Sequence, residues 1–155
     1  MPFNFQTQLQ PSLESESLLD TYFEGRGWEI DEATLEQERE HGYDRVFRKD
    51  GESYRVEYKV DTFDNLDAFL ELQVCQLIGH EHKAGWVLHT KADFVMYLKR
   101  KSMKCYVLMP KVFQAKLPTL IQGKPIKVVD NGHYYGIGVT IPLDEILSGV
   151  YELLP

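Results

Sequence analysis

At 155 residues, with 43% hydrophobic and 12% aromatic content, the chain can bury a core and is too apolar for a disordered protein; its length predicts one domain over 1–155. The net charge of -7 argues against strong non-specific binding to nucleic acid, although 11 of the Asp and Glu residues lie in 1–44 beside only 2 Lys or Arg. No apolar run approaches the ~20 residues of a membrane helix, the N-terminus lacks a secretory signal, and two cysteines, Cys75 and Cys105, are too few for a disulfide framework, so a cytoplasmic setting is expected.

Taken in order, residues 1–11 read as a loose lead-in ended by Pro11, with Ser12 as an N-cap. Leu18, Leu19, Tyr22 and Phe23 form a helical stripe, which Gly25 and Gly27 end. Trp28-Glu29-Ile30 reads as a short strand. Residues 31–42 are acidic and weakly patterned, and either extend that strand or cross the sheet. Tyr43–Lys49 and Glu52–Asp61 are rich in β-branched and aromatic residues and flank Asp50-Gly51, a strong hairpin turn. Ala68–Ile78 leans towards strand, at least at its start. Residues 79–84 read as a polar loop, Gly85–Leu88 as a short apolar piece, and Phe94–Leu98 as a strand. A basic loop, Lys99–Lys104, and the basic residues of 45–55 leave room for a local positive groove. Cys105–Met109 reads as a strand, and Pro110 starts a helix that Pro118 breaks. Asn131-Gly132 predicts a second hairpin turn, and Pro142 a last helix through Leu147. This order predicts an α/β or α+β fold on a mixed sheet. No Cys/His spacing resembles a zinc site; His80 and His82 lie two apart in a polar loop.

The chemistry concentrates in the first hairpin. A two-residue turn at Asp50-Gly51 pairs Lys49 with Glu52 and sets Asp44 opposite Glu57, with their Cβ atoms about 4.5–5.5 Å apart. Lys59 shares that face. Two adjacent carboxylates repel, and a divalent cation is the commonest reason to place them so; hard cations take oxygen ligands from carboxylates and phosphate. A solvated hairpin with ion pairs to Arg45, Arg48, Lys49 and Arg55 explains the same residues without chemistry. Glu81-His82-Lys83 matches the acidic-x-Lys triplet as well, but outside any recognisable strand.

An aspartate opening one strand, then Glu57-Tyr58-Lys59 on the next, resembles the PD-(D/E)XK nuclease superfamily. The spacing is similar to that of archaeal Holliday-junction resolvases. The preceding helix, Gly27-Trp28 and strand stand in the family's order, and Gly85-Trp86 to Tyr97 resembles a pattern in small nuclease-like proteins of the superfamily. Tyr43 departs from the family's proline before the aspartate. The resemblance implies a restriction-endonuclease-like core, with a central mixed sheet flanked by helices, and a Mg²⁺- or Mn²⁺-dependent endonuclease acting on nucleic acid, DNA first. It implies Asp44 and Glu57 as metal ligands with the Tyr58 backbone carbonyl, Glu16 as a third carboxylate, and Lys59 positioning water and stabilising charge. It also implies an accessory polar residue near Glu71 and Gln73, and leaves a homodimer open. An inactive module of the same fold, binding nucleic acid or a protein, is the alternative.

Overall fold

The computed structural model describes residues 5–77, 79 and 81–153. Helix α1 spans Phe5–Glu24, so it begins well before Ser12 and runs through Pro11. This corrects the expected cap and lead-in: a proline removes one donor from the ladder, and the helix continues on both sides of it. Leu19 and Phe23 are fully buried, as their stripe predicts, while Leu18 faces out. Strand β1 (Glu29–Glu32) follows. The acidic stretch after it holds a helix, α2 (Leu35–His41), signalled by a Thr34-x-x-Gln37 capping box: the Gln37 N–H donates to the Thr34 hydroxyl, and the Thr34 N–H to the Gln37 side chain. Gly42 ends it at φ 62°, a left-handed cap.

Strands β2 (Arg45–Lys49) and β3 (Glu52–Asp61) meet at Asp50 and Gly51, with φ 53° and 80°, as a type I′ turn requires. Lys49 pairs with Glu52 and Arg45 with Val56, the register the sequence predicts. Next come β4 (Asp67–Gln76), β5 (His82–Ala84), a one-turn helix α3 (Trp86–His89), β6 (Phe94–Lys99) and β7 (Lys104–Leu108). The chain ends with α4 (Pro110–Ile121), β8 (Lys127–Asp130), β9 (Tyr134–Pro142), a 3₁₀ turn at Leu143–Glu145 and β10 (Leu147–Glu152).

Several expectations change here. The polar loop 79–84 contains β5, and Gly85–Leu88 is mostly helical. Pro118 lies on the exposed side of α4, where the freed carbonyl can meet water. The buried stripe Phe113, Leu117 and Leu120 carries the helix past it. Asp130 pairs with Tyr135, so the second two-residue turn is Gly132-His133, one position later than predicted. The expected last helix is the 3₁₀ turn, after which the alternating burial of 147–152 lets β10 join β7 as an edge strand.

A six-stranded sheet has the order β1-β2-β3-β6-β7-β10 and is mixed, because β3 and β6 run parallel. A four-stranded antiparallel sheet has the order β5-β4-β9-β8. Alternation along β3, β6 and β7 feeds two cores. Val56, Tyr58, Met96, Leu98, Cys105 and Val107 face Leu19 and Phe23 of α1. Val95, Tyr97, Tyr106 and Leu108 face the second sheet and α3 and α4. Burial pushes the Cys105 thiol up to about 12, which leaves it unreactive.

The two sheets are joined by a buried polar network. Lys99, 2% exposed, donates to Asp61 and to Asn65, each at 2.8 Å. Asp61 also accepts from the Tyr97 hydroxyl at 2.7 Å, and that oxygen accepts from the Phe69 N–H of β4. The expected basic loop is therefore largely committed. Lys99 is internal, and Arg100 reaches Ser15 and Glu14 on α1.

Candidate active site

The site forms where β2 begins, just after Asp44, opposite the second half of β3. The Asp44 N–H donates to the Val56 carbonyl at 2.9 Å, and its carboxylate accepts from the Tyr58 N–H at 2.7 Å. The N–H and C=O of a strand residue point to the same side, so the Tyr58 carbonyl also turns towards Asp44. The Tyr58 side chain enters the α1 core, and its hydroxyl donates to Asp20 at 2.7 Å. Glu57 and Lys59 alternate to the opposite face, under the second sheet. Lys59 Nζ lies 3.3 Å from Glu57 Oε1 and 5.6 Å from the centroid of the Trp86 ring. A third of the Lys59 side chain is exposed, so a ligand can reach it.

Glu57 is 7% exposed, and its Oε2 has no hydrogen-bond partner among the described residues. Burial raises its pKa and Asp44 adds to the rise; Lys59 and the neighbouring Thr90 hydroxyl only partly offset it. That hydroxyl has one proton, which goes to the Gly42 carbonyl at 2.9 Å. Asp44 is raised too, by burial, against the Tyr58 N–H, Lys59 and Arg45. Burial works against the charge on Lys59, but Glu57, Asp44 and Glu71 outweigh it and raise its pKa. The patch thus holds more buried negative charge than its lysine balances.

Glu71 comes from β4, where a bulge between Glu71 and Gln73 re-aims the strand. One carboxylate oxygen fills the space a side chain at Gly136 would need, only 2.6 Å from where its Cβ would lie. Burial raises Glu71, against Lys59 and the Trp86 N–H. Glu16 stands elsewhere. It is on α1, one turn from Asp20, behind the sheet; burial raises its pKa, Arg45 lowers it, and Asp44, Asp20 and Glu38 raise it further. It reaches Asp44 from the Tyr58 side rather than sharing the face of Glu57 and Lys59. Among the described residues no three His, Cys, Asp or Glu side chains converge to hold one ion.

Apart from the bond of Arg45 to the Asp44 carbonyl, the hairpin cations have their partners outside the patch. Arg45 donates to both Asp20 oxygens and to the Asp44 carbonyl, Arg48 pairs with Asp31, Lys49 donates to the Arg26 carbonyl, and Arg55 pairs with Asp93. None neutralises Glu57. Glu81 leads into the exposed edge strand β5, whose Lys83 pairs with it. Sequence reasoning misses Asp20, Trp86 and Thr90. Asp20 has a local signal, four residues after Glu16 on one helix face; Trp86 and Thr90 reach the patch only through tertiary packing.

Because folding raises the Glu57 pKa, the folded state holds a proton the unfolded chain releases. Metal-free stability should therefore fall as pH climbs from the ordinary carboxylate range through the raised value. Glu57→Gln should fold with equal or higher stability near neutral pH, by on the order of 1 kcal/mol, and lose part of that pH dependence. Thermal melts of metal-free wild type and variant between pH 4 and 8 check this; a marked loss of stability would make Glu57 a structural ion-pair partner.

No family model and no curated protein matches the sequence. Among solved structures, the chain is similar to a bacterial homing endonuclease, I-Ssp6803I, at 15% identity and a TM-score of 0.49, over 70% of this chain and 72% of that one. A likeness of that degree assigns no activity, so the side chains themselves carry the functional conclusion.

Proposed function

We propose that the chain is a Mg²⁺- or Mn²⁺-dependent nuclease of the PD-(D/E)XK type, hydrolysing phosphodiester bonds of nucleic acid, DNA first. The observation that carries this is the buried Glu57 carboxylate beside Asp44: its Oε1 lies 3.3 Å from Lys59 Nζ, while its Oε2 has no hydrogen-bond partner among the described residues. An acceptor left without a donor costs about 1–3 kcal/mol, and a hard cation relieves that cost while a hydrophobic core does not. Asp44 and Glu57, with the Tyr58 carbonyl, are the groups that would hold it. Two carboxylates are enough when water and substrate phosphate complete the shell. Bound there, the cation neutralises phosphoryl charge and lowers the pKa of a water.

The chain's own residues do the rest. Lys59, kept protonated by three carboxylates and steadied over Trp86, donates N–H bonds to the attacking water and to phosphate oxygens. The Tyr58 N–H fixes the Asp44 carboxylate from the strand edge. Glu16 adds negative potential behind Asp44. An inactive module of the same fold is the second reading, favoured by the net charge of -7 and by the pairing of the hairpin arginines.

Labelled duplex, branched and single-stranded DNA, and RNA, incubated with Mg²⁺ or Mn²⁺, separate the two. Cleavage that stops on chelation is the expected result. No cleavage of any substrate, with no calorimetric Mn²⁺ binding, would leave the module.

A further inference from the structure

We propose that the joined turns ending α2 and α3 form the landing surface for the phosphate backbone of a nucleic acid, beside the candidate site; the inference rests on the nuclease reading above for its partner. The two turns are zipped together. The Lys91 N–H donates to the His41 carbonyl at 2.9 Å, and the Thr90 hydroxyl to the Gly42 carbonyl at 2.9 Å. The His89 ring packs so closely on Gly42 that a Cβ there would lie 2.9 Å from it. Arg39 and His41 occupy the last turn of α2, His89 the last turn of α3, and Lys91 follows. Arg39 and Lys91 are exposed, and both histidines are half-buried.

Charge sets this rim apart from the rest of the site's surroundings. Arg45, Arg48, Arg55, Lys99 and Arg100 all have carboxylate partners. Among the described residues no ion pair reaches Arg39, His89 or Lys91, and His41 has only its exposed neighbour Glu40, at 4.0 Å. The rim adjoins the candidate site on two sides: Gly42 precedes Asp44 by two residues, and Thr90 lies against Glu57. An acidic patch repels phosphate, so a polyanion needs cationic and N–H donors next to it to be held in register. Lysine, arginine and imidazole N–H groups are the usual donors to phosphate oxygens.

The test is fluorescence anisotropy of a labelled DNA duplex with Ca²⁺ in place of Mg²⁺, over a salt series, on wild type, Lys91→Gln, His89→Gln and Lys127→Gln. Lys127 is exposed on β8, in the other sheet. Lys91→Gln should weaken binding and reduce the salt slope by about one, His89→Gln should weaken binding, and Lys127→Gln should change neither; calorimetric Mn²⁺ affinity should stay at the wild-type value throughout. The proposal is overturned if Lys91→Gln keeps the wild-type affinity and slope, if wild type binds no duplex at low salt, or if a polyglutamate peptide outcompetes DNA. Unchanged duplex binding in Lys91→Gln alongside Mn²⁺-dependent cleavage would remove this surface and leave the nuclease. Lys91-dependent duplex binding without Mn²⁺ affinity or cleavage would remove the nuclease and leave the surface.

Discussion

Lys59→Ala should abolish detectable cleavage while sparing Mn²⁺ binding, and Asp44→Ala should abolish both. The difference follows from what each group can offer. Asp44 supplies a ligand oxygen held at the strand edge by the Tyr58 N–H, so its loss opens the coordination shell. Lys59 is protonated, has three N–H donors and no lone pair to give a cation. Removing one preorganised electrostatic donor costs about 10²–10³ in rate, enough to take a slow nuclease below detection. The alanine also releases the Trp86 face and takes from the buried Glu57 its Oε1 partner, so a thermal melt first checks that the variant is folded. Calorimetric Mn²⁺ titration beside a gel assay separates the effects. Cleavage by Lys59→Ala at the wild-type rate would leave the hairpin geometry intact and dismiss its assigned chemistry.

Asp61→Ala should destabilise the protein by about 3–5 kcal/mol, the usual cost of removing one partner from a buried pair. For a chain of this length that is roughly 10 °C in Tm. The Lys99 ammonium, with 3% of its side chain exposed, would keep Asn65 as its one hydrogen-bond partner among the described residues, beside the Tyr97 ring. Tyr97 would lose the acceptor of its hydroxyl proton, and the Phe63 N–H its carboxylate. Lys99→Met should cost less, because it removes the charge together with the need to solvate it. Urea melts of both variants decide the point. A larger loss in Lys99→Met than in Asp61→Ala would mean that the Asp61 carboxylate, not the Lys99 ammonium, is the costlier group to leave without its partner.

Legibility in the sequence followed the range of the interactions. The hairpin register could be counted from Asp50-Gly51, because the positive φ of a two-residue turn and the period of two are local constraints. That count puts Glu57 and Lys59 on one face, while the Asp44 carboxylate sits at the strand edge on the Tyr58 N–H. The capping box at Thr34 and Gln37 is equally local, and it is the signal for α2 within an acidic stretch that has no apolar stripe. Pro118 misleads because a proline's effect depends on which side of the helix faces water, and sequence does not print that.

The hairpin and the burial of Leu19 and Phe23 on the first helix were legible in the sequence, since each depends on neighbours within a few positions or across one turn. Tertiary structure alone decided the rest. Lys99 reads as one more base in a solvated run, yet the parallel pairing of β3 with β6 sets it opposite Asp61 and buries both. Glu71 and Trp86 reach Lys59 because β4 pairs with β9 and lies across the first sheet, a contact between segments distant in the chain. Glu16 lies behind Asp44 because α1 packs on the Tyr58 face. Long-range pairing is settled by which faces can be buried together, and no local pattern carries that information.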